Sequence, residues 1–276
     1  MKLFDTHTHS QYSPDSHTTV DELVKEAKNK GLSGIGITDH LDLDPPKREV
    51  TAKEGEKIFS FDPAEQQSEI ERVASQYEIE VLKGIEVGLQ PMSIQKIKSF
   101  CSKYRFDSII ASIHFIDGTD PYLKSYYEGK DYKRAYTRTF EIMYQTAVEF
   151  PDFDILGHFD YVARYAPYKD KERDIKFKEF QDYLSPLLRL LAFEGKAFEI
   201  NTKTYMDYDG HTPTLDIDIL KEFKRIGGEC LTLGSDAHST DRIAYNFNKY
   251  AEIAKRCGFR YFTYYKERKP VFYPIK

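Results

Sequence analysis

Short apolar runs punctuate the chain, and amphipathic stretches fill most of the gaps between them. Seven runs have the length and the Ile, Val, Leu and Phe content of strands: KLF (2–4), GIGIT (34–38), EVLKGIEV (80–87), DSIIASI (107–113), FDILGH (153–158), KAFEIN (196–201) and CLTLGS (230–235). They are continuous rather than alternating, which predicts strands covered on both faces, as in a parallel sheet. The stretch 18–31 places Val20, Leu23, Val24 and Ala27 on one helical face, with Gly31 as a stop. The stretch 62–77 opens with Asp62 as an N-cap and Pro63 at the first helical position. Helices are also expected over 132–150, 177–195, 216–228 and 243–258, with Pro186 ending or kinking its helix. Strand–helix alternation repeated in this way predicts an α/β architecture, either an open doubly wound sheet or a closed barrel. Three stretches break the alternation: a long polar connection at 41–61, a Gly-, Asp- and Tyr-rich segment at 115–131, and an alternating tail with two prolines at 261–276. No internal repeat, low-complexity segment or linker interrupts the rest, so one domain over 1–276 is expected.

Composition narrows the function. With 40% hydrophobic residues the chain can bury a sizeable core, and its 31% of charged residues predict solubility. Forty basic residues against 45 acidic ones, a net charge of −5, leave no basic stripe, so a nucleic-acid partner is not expected. Cys101, Cys230 and Cys257 are far apart and form no C-x-x-C pair, which fits buried free thiols in a reducing compartment. The N-terminus does not read as a signal peptide, and no apolar run approaches the roughly 18–20 residues that span a bilayer. A cytoplasmic protein without a membrane partner is the expectation; the oligomeric state is not legible.

The histidines change the picture. Six of the eight fall at the carboxyl ends of candidate strands: His7 and His9, His40, His114, His158 and His238. The third strand ends in Glu86, the sixth in Glu199 and Asn201, and the seventh also offers Asp236. In parallel α/β folds those ends form the ligand-binding face, so residues scattered along the chain converge there. One such histidine is more often a hydrogen-bonded core or surface residue, but six on the same face are not explained that way. Imidazole and carboxylate donors without cysteine suit Zn, Fe or Mn held for catalysis. The H-x-H spacing of His7 and His9 puts both rings on one side of an extended chain, as does Asp236-x-His238.

In their order along the chain, DTHTHS (5–10), GITDH (36–40), GIEV (84–87), SIHF (112–115), GHFD (157–160) and GSDAHS (234–239) resemble the polymerase-and-histidinol-phosphatase (PHP) superfamily. SIHFIDGTDPY, the YYEGKDYKRAY that follows and the chain length are similar to its histidinol-phosphate phosphatase branch. The resemblance implies a distorted (β/α)7 TIM-like barrel with a metal site at the C-terminal ends of the strands. It also implies three divalent ions: one on His7, His9, Glu86 and Asp236, a second sharing Glu86 and taking His114 and His158, and a third on Asp15, His40 and His238. Asp15 stands where some family members carry histidine. The implied activity is hydrolysis of a small phosphate monoester, L-histidinol phosphate, by a hydroxide held between the two ions that Glu86 bridges. Glu86, Asp236 and His158 form the expected catalytic set.

Around this set, Asp5, Asp39 and Asp160 are expected to orient the ligand imidazoles. Arg164, Lys203 and His17 are the candidates for substrate phosphate, because a guanidinium or ammonium on a ligand-face loop can bind it. The segment 115–131 and the tail are expected to cover the site, with Tyr122, Tyr126 or Tyr127 shaping the pocket, and His211 reads as a turn residue. Three alternatives share parts of the pattern. A phosphoesterase of nucleotides or oligonucleotide ends would use the same ligands, but the charge balance lacks a basic groove. An amidohydrolase bridges its metals with a carboxylated lysine on the fourth strand, where this chain has His114. A non-catalytic regulatory module would have lost ligands, and none is missing.

Overall fold

The computed structural model describes residues 3–46, 60–169 and 172–275. Most of the polar connection expected at 41–61 therefore lies outside the described residues. Seven parallel strands run β1 (Phe4–Thr8), β2 (Gly34–Ile37), β4 (Glu80–Gly88), β5 (Ser108–Ser112), β6 (Ile155–Leu156), β7 (Ala197–Asn201) and β8 (Leu231–Gly234) in that spatial order. A short β3 (His40–Leu41) pairs with the far half of β4 and sets His40 opposite Glu86. Between β8 and β1 the sheet all but closes: His9 N–H donates to the Ala237 carbonyl (2.9 Å), and Asp236 N–H to the His7 carbonyl (2.8 Å). These bonds decide for a barrel over an open sheet.

β1 runs further than its apolar pattern. Thr6, His7 and Thr8 are polar yet fully enclosed, and the Thr6 and Thr8 hydroxyls donate to the Leu233 and Gly36 carbonyls. Buried polar side chains satisfied across neighbouring strands cost little, so the strand continues where hydrophobicity stops.

The helices between the strands are α1 (Val20–Asn29), α2 (Pro63–Ala74), α3 (Ile94–Cys101), α4 (Tyr132–Glu149), a single turn α5 (Tyr161–Arg164), α6 (Gln181–Glu194), α7 (Ile217–Arg225) and α8 (Phe247–Arg256). Thr19 caps α1 in a reciprocal box with Glu22, and Asp62 and Asp131 cap α2 and α4. Two features depart from the sequence pattern. α3 was not expected, because it is short and Ser93 makes no side-chain cap bond, although Ile94, Ile97 and Cys101 bury one stripe. α6 also runs through Pro186 instead of ending there. A mid-helix proline costs about 3 kcal/mol, but Leu184, Leu187, Leu188 and Leu191 are wholly buried. At about 1.5–3 kcal/mol each, those four side chains outweigh one lost hydrogen bond and a strained carbonyl.

The tail forms an antiparallel hairpin, β9 (Tyr261–Lys266) and β10 (Lys269–Pro274). It does not cover the strand ends that carry the histidines; it closes the opposite end of the barrel. Tyr264 stacks on Phe4 at 3.9 Å, and Lys266 and Tyr264 both reach Glu80 at the start of β4. The Glu267 and Arg268 N–H groups donate to Asp107, just before β5. Arg268 Nε donates to Asp154 Oδ2 (2.5 Å), just before β6. Charge and pairing set the tail's place here, because these acidic residues start the strands. Arg268→Ala removes the guanidinium from a nearly buried Asp154 carboxylate. With Arg268 itself 29% exposed, the expected loss is about 2 kcal/mol, or about 4 °C in Tm. Turnover per folded molecule stays at the wild-type value, since the site lies at the other end. Thermal unfolding and active-fraction kinetics check both. No helix among the described residues is long and apolar enough to cross a membrane.

Candidate active site

At the C-terminal ends of the strands, one carboxylate organises the histidines. Glu86 Oε2 lies 3.3 Å from His7 Nε2, 3.4 Å from His9 Nε2 and 2.9 Å from His40 Nδ1. Its other oxygen, Oε1, lies 3.3 Å from His114 Nε2 and 2.7 Å from His158 Nε2, and accepts the Ser112 hydroxyl at 2.6 Å. Five imidazoles from four strand ends thus divide between the two oxygens of one wholly buried side chain. Asp236 stands beside the first group, with Oδ1 3.5 Å from His9 Nε2. Its backbone is left-handed (φ 52°), which aspartate tolerates better than most residues. A third group lies toward solvent: His238 Nε2 is 3.0 Å and His40 Nε2 3.7 Å from Asp15 Oδ2, and the Asp15 side chain is 41% exposed.

Hydrogen bonds to the far ring nitrogens show what these groups are built to hold. His7 Nδ1 donates to Glu199 Oε1 (2.7 Å), and His114 Nδ1 to Asp42 Oδ1 (2.8 Å). The Ser13 hydroxyl donates to Asp39 Oδ1 (2.7 Å), so its oxygen accepts from His9 Nδ1 (3.1 Å). In their neutral form the His7, His9 and His114 rings then turn a lone pair inward from Nε2. The inward nitrogens of His7 and His9 are 3.1 Å apart, and those of His114 and His158 3.4 Å apart. Lone pairs as close as those of His7 and His9 repel unless something positive sits between them. The donor set therefore fits divalent cations, and His7, His9 and Asp236 offer atoms within 4.8 Å of one another.

The electrostatics show the same demand for positive charge: against burial, Glu86 and Glu199 raise His7, and Asp42 and Glu86 raise His114, well above the usual imidazole value, so these rings take up a proton where no cation binds. Burial alone would push the Glu86 carboxyl up, but His7, His114 and His40 overcome it and hold the group well below the usual carboxylate range. Asp236 is likewise buried, and Lys203 and Arg164 hold it well below that range. Burial, with His40 and His238 adding repulsion, lowers His9 and keeps its ring neutral, as a ligand must be.

The imidazole-orienting carboxylates are not the expected ones. Asp5 instead accepts from the Ser235 and Ala244 N–H groups (2.9 Å each) and ties β1 to the loop after β8. Asp39 reaches His9 only through Ser13. Asp160 accepts from Tyr205 and Thr204, whose hydroxyl oxygen accepts from Arg164 Nε. Burial lifts Asp5 and Asp160 to about 6 against those hydrogen bonds. Direct contact with ligand rings falls to Glu199 and Asp42. Asp42 repeats the spacing of the H-x-H pair in His40-x-Asp42, a signal the sequence carried unread. Each carboxylate lies against a glycine: a Cβ on Gly234 would strike Glu199, and one on Gly88 would strike Asp42. Glu199 Oε2 also accepts the His158 N–H (2.7 Å), so one side chain steadies both groups. Glu199→Gln is expected to weaken divalent-ion affinity about 10–100-fold, measured by competition with a chromophoric chelator.

The three phosphate candidates occupy different places. Arg164 is 1% exposed and donates to Thr204 Oγ1 (2.8 Å), Asp236 Oδ2 (2.9 Å) and Asn201 Oδ1 (2.8 Å). Lys203 Nζ reaches Asp236 Oδ1 (3.0 Å) from a more open position. His17 is exposed in the loop after β1, whose neighbouring Ser16 and Thr18 hydroxyls donate to the His238 carbonyl. Tyr126 and Tyr127 are core residues, not pocket walls; their hydroxyls donate to the Ala135 and Val162 carbonyls. Tyr161, unmarked in the sequence, lies against His158 and His114, with ring centroids at 5.3 and 5.8 Å. His211 closes a turn with Tyr208.

A family model described as PHP domain matches residues 5–203. The chain belongs to the PHP domain family. Two relatives match over almost their whole lengths. A histidinol-phosphatase from Lactococcus lactis subsp. lactis is 35% identical over 94% of this chain and 93% of its own. A probable histidinol-phosphatase from Clostridium acetobutylicum is 32% identical over 98% of this chain and 96% of its own. A crystal structure of histidinol phosphate phosphatase from Lactococcus lactis subsp. lactis, complexed with zinc, L-histidinol and phosphate, superimposes with a TM-score of 0.87 at 31% identity. The match covers 98% of this chain and 99% of that one. The barrel described above is thus the PHP fold.

Proposed function

We propose that this PHP domain is a metal-dependent phosphomonoesterase that hydrolyses L-histidinol phosphate to L-histidinol and phosphate in histidine biosynthesis, in the cytoplasm. The observation that carries the reading is Glu86, whose two oxygens are shared between two groups of imidazoles. The substrate follows from likeness to relatives named for this activity, one of them solved with zinc, L-histidinol and phosphate.

Three ion positions fit the donor sets: His7, His9, Glu86 and Asp236; Glu86, His114 and His158; Asp15, His40 and His238. Zinc suits these nitrogen and oxygen donors, and manganese or iron would fit the same sets. Bound there, the ions supply a water of lowered pKa and neutralise charge on the phosphoryl oxygens. The chain's own residues supply geometry. Glu199 and Asp42 hold the His7 and His114 rings in one tautomer, and Ser13 does the same for His9. Glu86 and Asp236 are held ionised, so neither needs to lose a proton before use. Arg164 fixes Asp236 Oδ2 and Lys203 fixes Asp236 Oδ1, which puts two positive charges on the side where an anion would sit. His17 lies on the rim of the same side.

Phosphate release from L-histidinol phosphate, a nucleoside monophosphate and p-nitrophenyl phosphate, with added Zn, Mn or Fe, tests the reading. A kcat/KM for histidinol phosphate at least about a hundredfold above the others is expected. Faster turnover of the nucleotide would sink the substrate assignment and leave the phosphoesterase chemistry standing.

A further inference from the structure

His7 and His114 rest on carboxylates, whereas His9 rests on a hydroxyl, and a hydroxyl does not fix a tautomer by itself. Ser13 Oγ lies 3.1 Å from His9 Nδ1 and also accepts the His40 N–H at 3.1 Å. With its proton turned toward the ring, the same hydroxyl would donate to His9 Nδ1, and the neutral ring would then carry its own proton inward on Nε2. Asp39 decides the direction, because its Oδ1 takes the Ser13 proton at 2.7 Å. Asp39 is wholly buried and is set by three further donors. The Ser10 N–H donates to Oδ1, and the Ser10 hydroxyl and Gln66 Nε2 both donate to Oδ2, each at 2.7 Å.

Gln66 is the donor that comes from a separate element. Ser10 and Ser13 belong to the loop after β1 and Asp39 to the turn after β2, whereas Gln66 stands near the start of α2. Its side chain is wholly buried, and its amide oxygen accepts no hydrogen bond among the described residues. A Leu or Met would fill the space without burying an unmatched oxygen, so packing does not call for an amide here. A buried carboxylate that needs a donor does. One helical turn further on, Glu69 grips the same loop: its Oε2 accepts from Gln11 Nε2 (2.9 Å) and from the Tyr12 hydroxyl (2.8 Å). Gln11 Oε1 in turn accepts the Val20 N–H at the start of α1 (3.0 Å). α2 thus seats the loop after β1 at two points, and the path from Gln66 ends on a ring that faces Glu86.

We propose that Gln66 is a positioning residue for the metal centre: by holding Asp39 it makes Ser13 an acceptor, and so keeps the His9 proton on Nδ1 and the Nε2 lone pair turned inward. The inference rests on the reading of His9 as a metal ligand of a phosphomonoesterase. Gln66 touches neither the ligand atoms nor the substrate, and acts through two side chains in series. Its removal therefore lowers metal affinity and kcat, and leaves KM, which reports contacts with the substrate, close to its wild-type value.

The test measures zinc affinity, by competition with a chromophoric chelator, in wild type, Gln66→Met, Ser13→Ala and the double variant, with kinetics on L-histidinol phosphate at saturating zinc. Gln66→Met keeps the length of the side chain and removes the donor. It is expected to weaken zinc binding about tenfold and to lower kcat, with KM within about twofold of wild type. Gln66→Leu repeats the loss with a different shape. Ser13→Ala weakens zinc binding at least as much, and adding Gln66→Met to it costs less than about twofold more, because the path from Gln66 to His9 is already cut. Val73→Ala, on the same helix and equally buried, lowers Tm but leaves zinc affinity within about twofold of wild type. Zinc affinity within about twofold of wild type in both Gln66 variants overturns the proposal. A loss that multiplies in full with that of Ser13→Ala also overturns it, as does one that Val73→Ala reproduces, since a loosened α2 would do either. Wild-type protein that binds no divalent ion refutes the functional reading instead, and is seen before any variant is made.

Discussion

Replacing Glu86 with alanine is expected to lower kcat by at least about a thousandfold and to leave fewer than two divalent ions per chain. Among the described residues no other touches so much of the site. Its oxygens face His7, His9, His40, His114 and His158 within 3.4 Å, and it is wholly enclosed. Without it, the two groups of rings, whose facing nitrogens lie 3.1 and 3.4 Å apart, lose the carboxylate that both share. Glu86→Gln separates charge from shape. The amide keeps an oxygen for the Ser112 hydroxyl and fills the same volume, yet cannot neutralise two cations. It is therefore expected to behave like alanine in metal content and turnover while folding like the wild type. Metal analysis by mass spectrometry and steady-state kinetics decide the matter. Glu86→Gln with two ions bound and turnover within tenfold of wild type would remove Glu86 from the centre of the mechanism.

Stripping the protein with a strong chelator carries the second large effect. Phosphatase activity is expected to drop to background and to return when zinc is added to the dialysed protein. Stability should fall as well, because an ion that binds only the folded chain stabilises it by mass action. With free ion a thousandfold above Kd, one site contributes about 4 kcal/mol. For a chain of 276 residues that is about 5–10 °C in Tm. The bonds that fix the His7, His9 and His114 rings do not involve the ions, so the stripped protein keeps its barrel and its far-ultraviolet circular dichroism. Full activity after exhaustive chelation, with metal absence verified, would rule out a metal-dependent reaction.

Much of the site was legible because its chemistry repeats at one structural position. A polar, ionisable residue at the end of each apolar run is improbable as packing, and seven such runs in order point to one face. His7, His9, His40, Glu86, His114, His158, Asp236 and His238 were all found that way, and the structure brings them within reach of one another. The residues that steady them were not read as supports: Glu199 stands at a strand end without a role, and Asp42 is not singled out. Asp42 follows β3 and Glu199 lies within β7, and their meaning comes only from what faces them, His114 and His7, 72 and 192 positions away. Asp5, Asp39 and Asp160 sit as close in sequence to a ligand as any support could, yet their side chains turn toward backbone, Ser13 and Thr204. Adjacency along a strand alternates sides, so nearness in number is poor guidance to nearness of side chains.

The hairpin makes the same point about the fold. The alternation in 261–276 foretells strands, but strands can pack at either end of a barrel. Asp107, Asp154 and Glu80 at the strand starts choose the end, and a pairing between distant charges has no local trace. The sequence by itself determined the alternating elements, the parallel sheet and the residue types gathered at the strand ends, because each follows from periodicity or side-chain chemistry within a short window. Only the tertiary structure decided how β1 meets β8, which carboxylate holds which imidazole and where Arg164 points. Those depend on contacts between residues far apart in the chain, and on which of several allowed directions the packing leaves open.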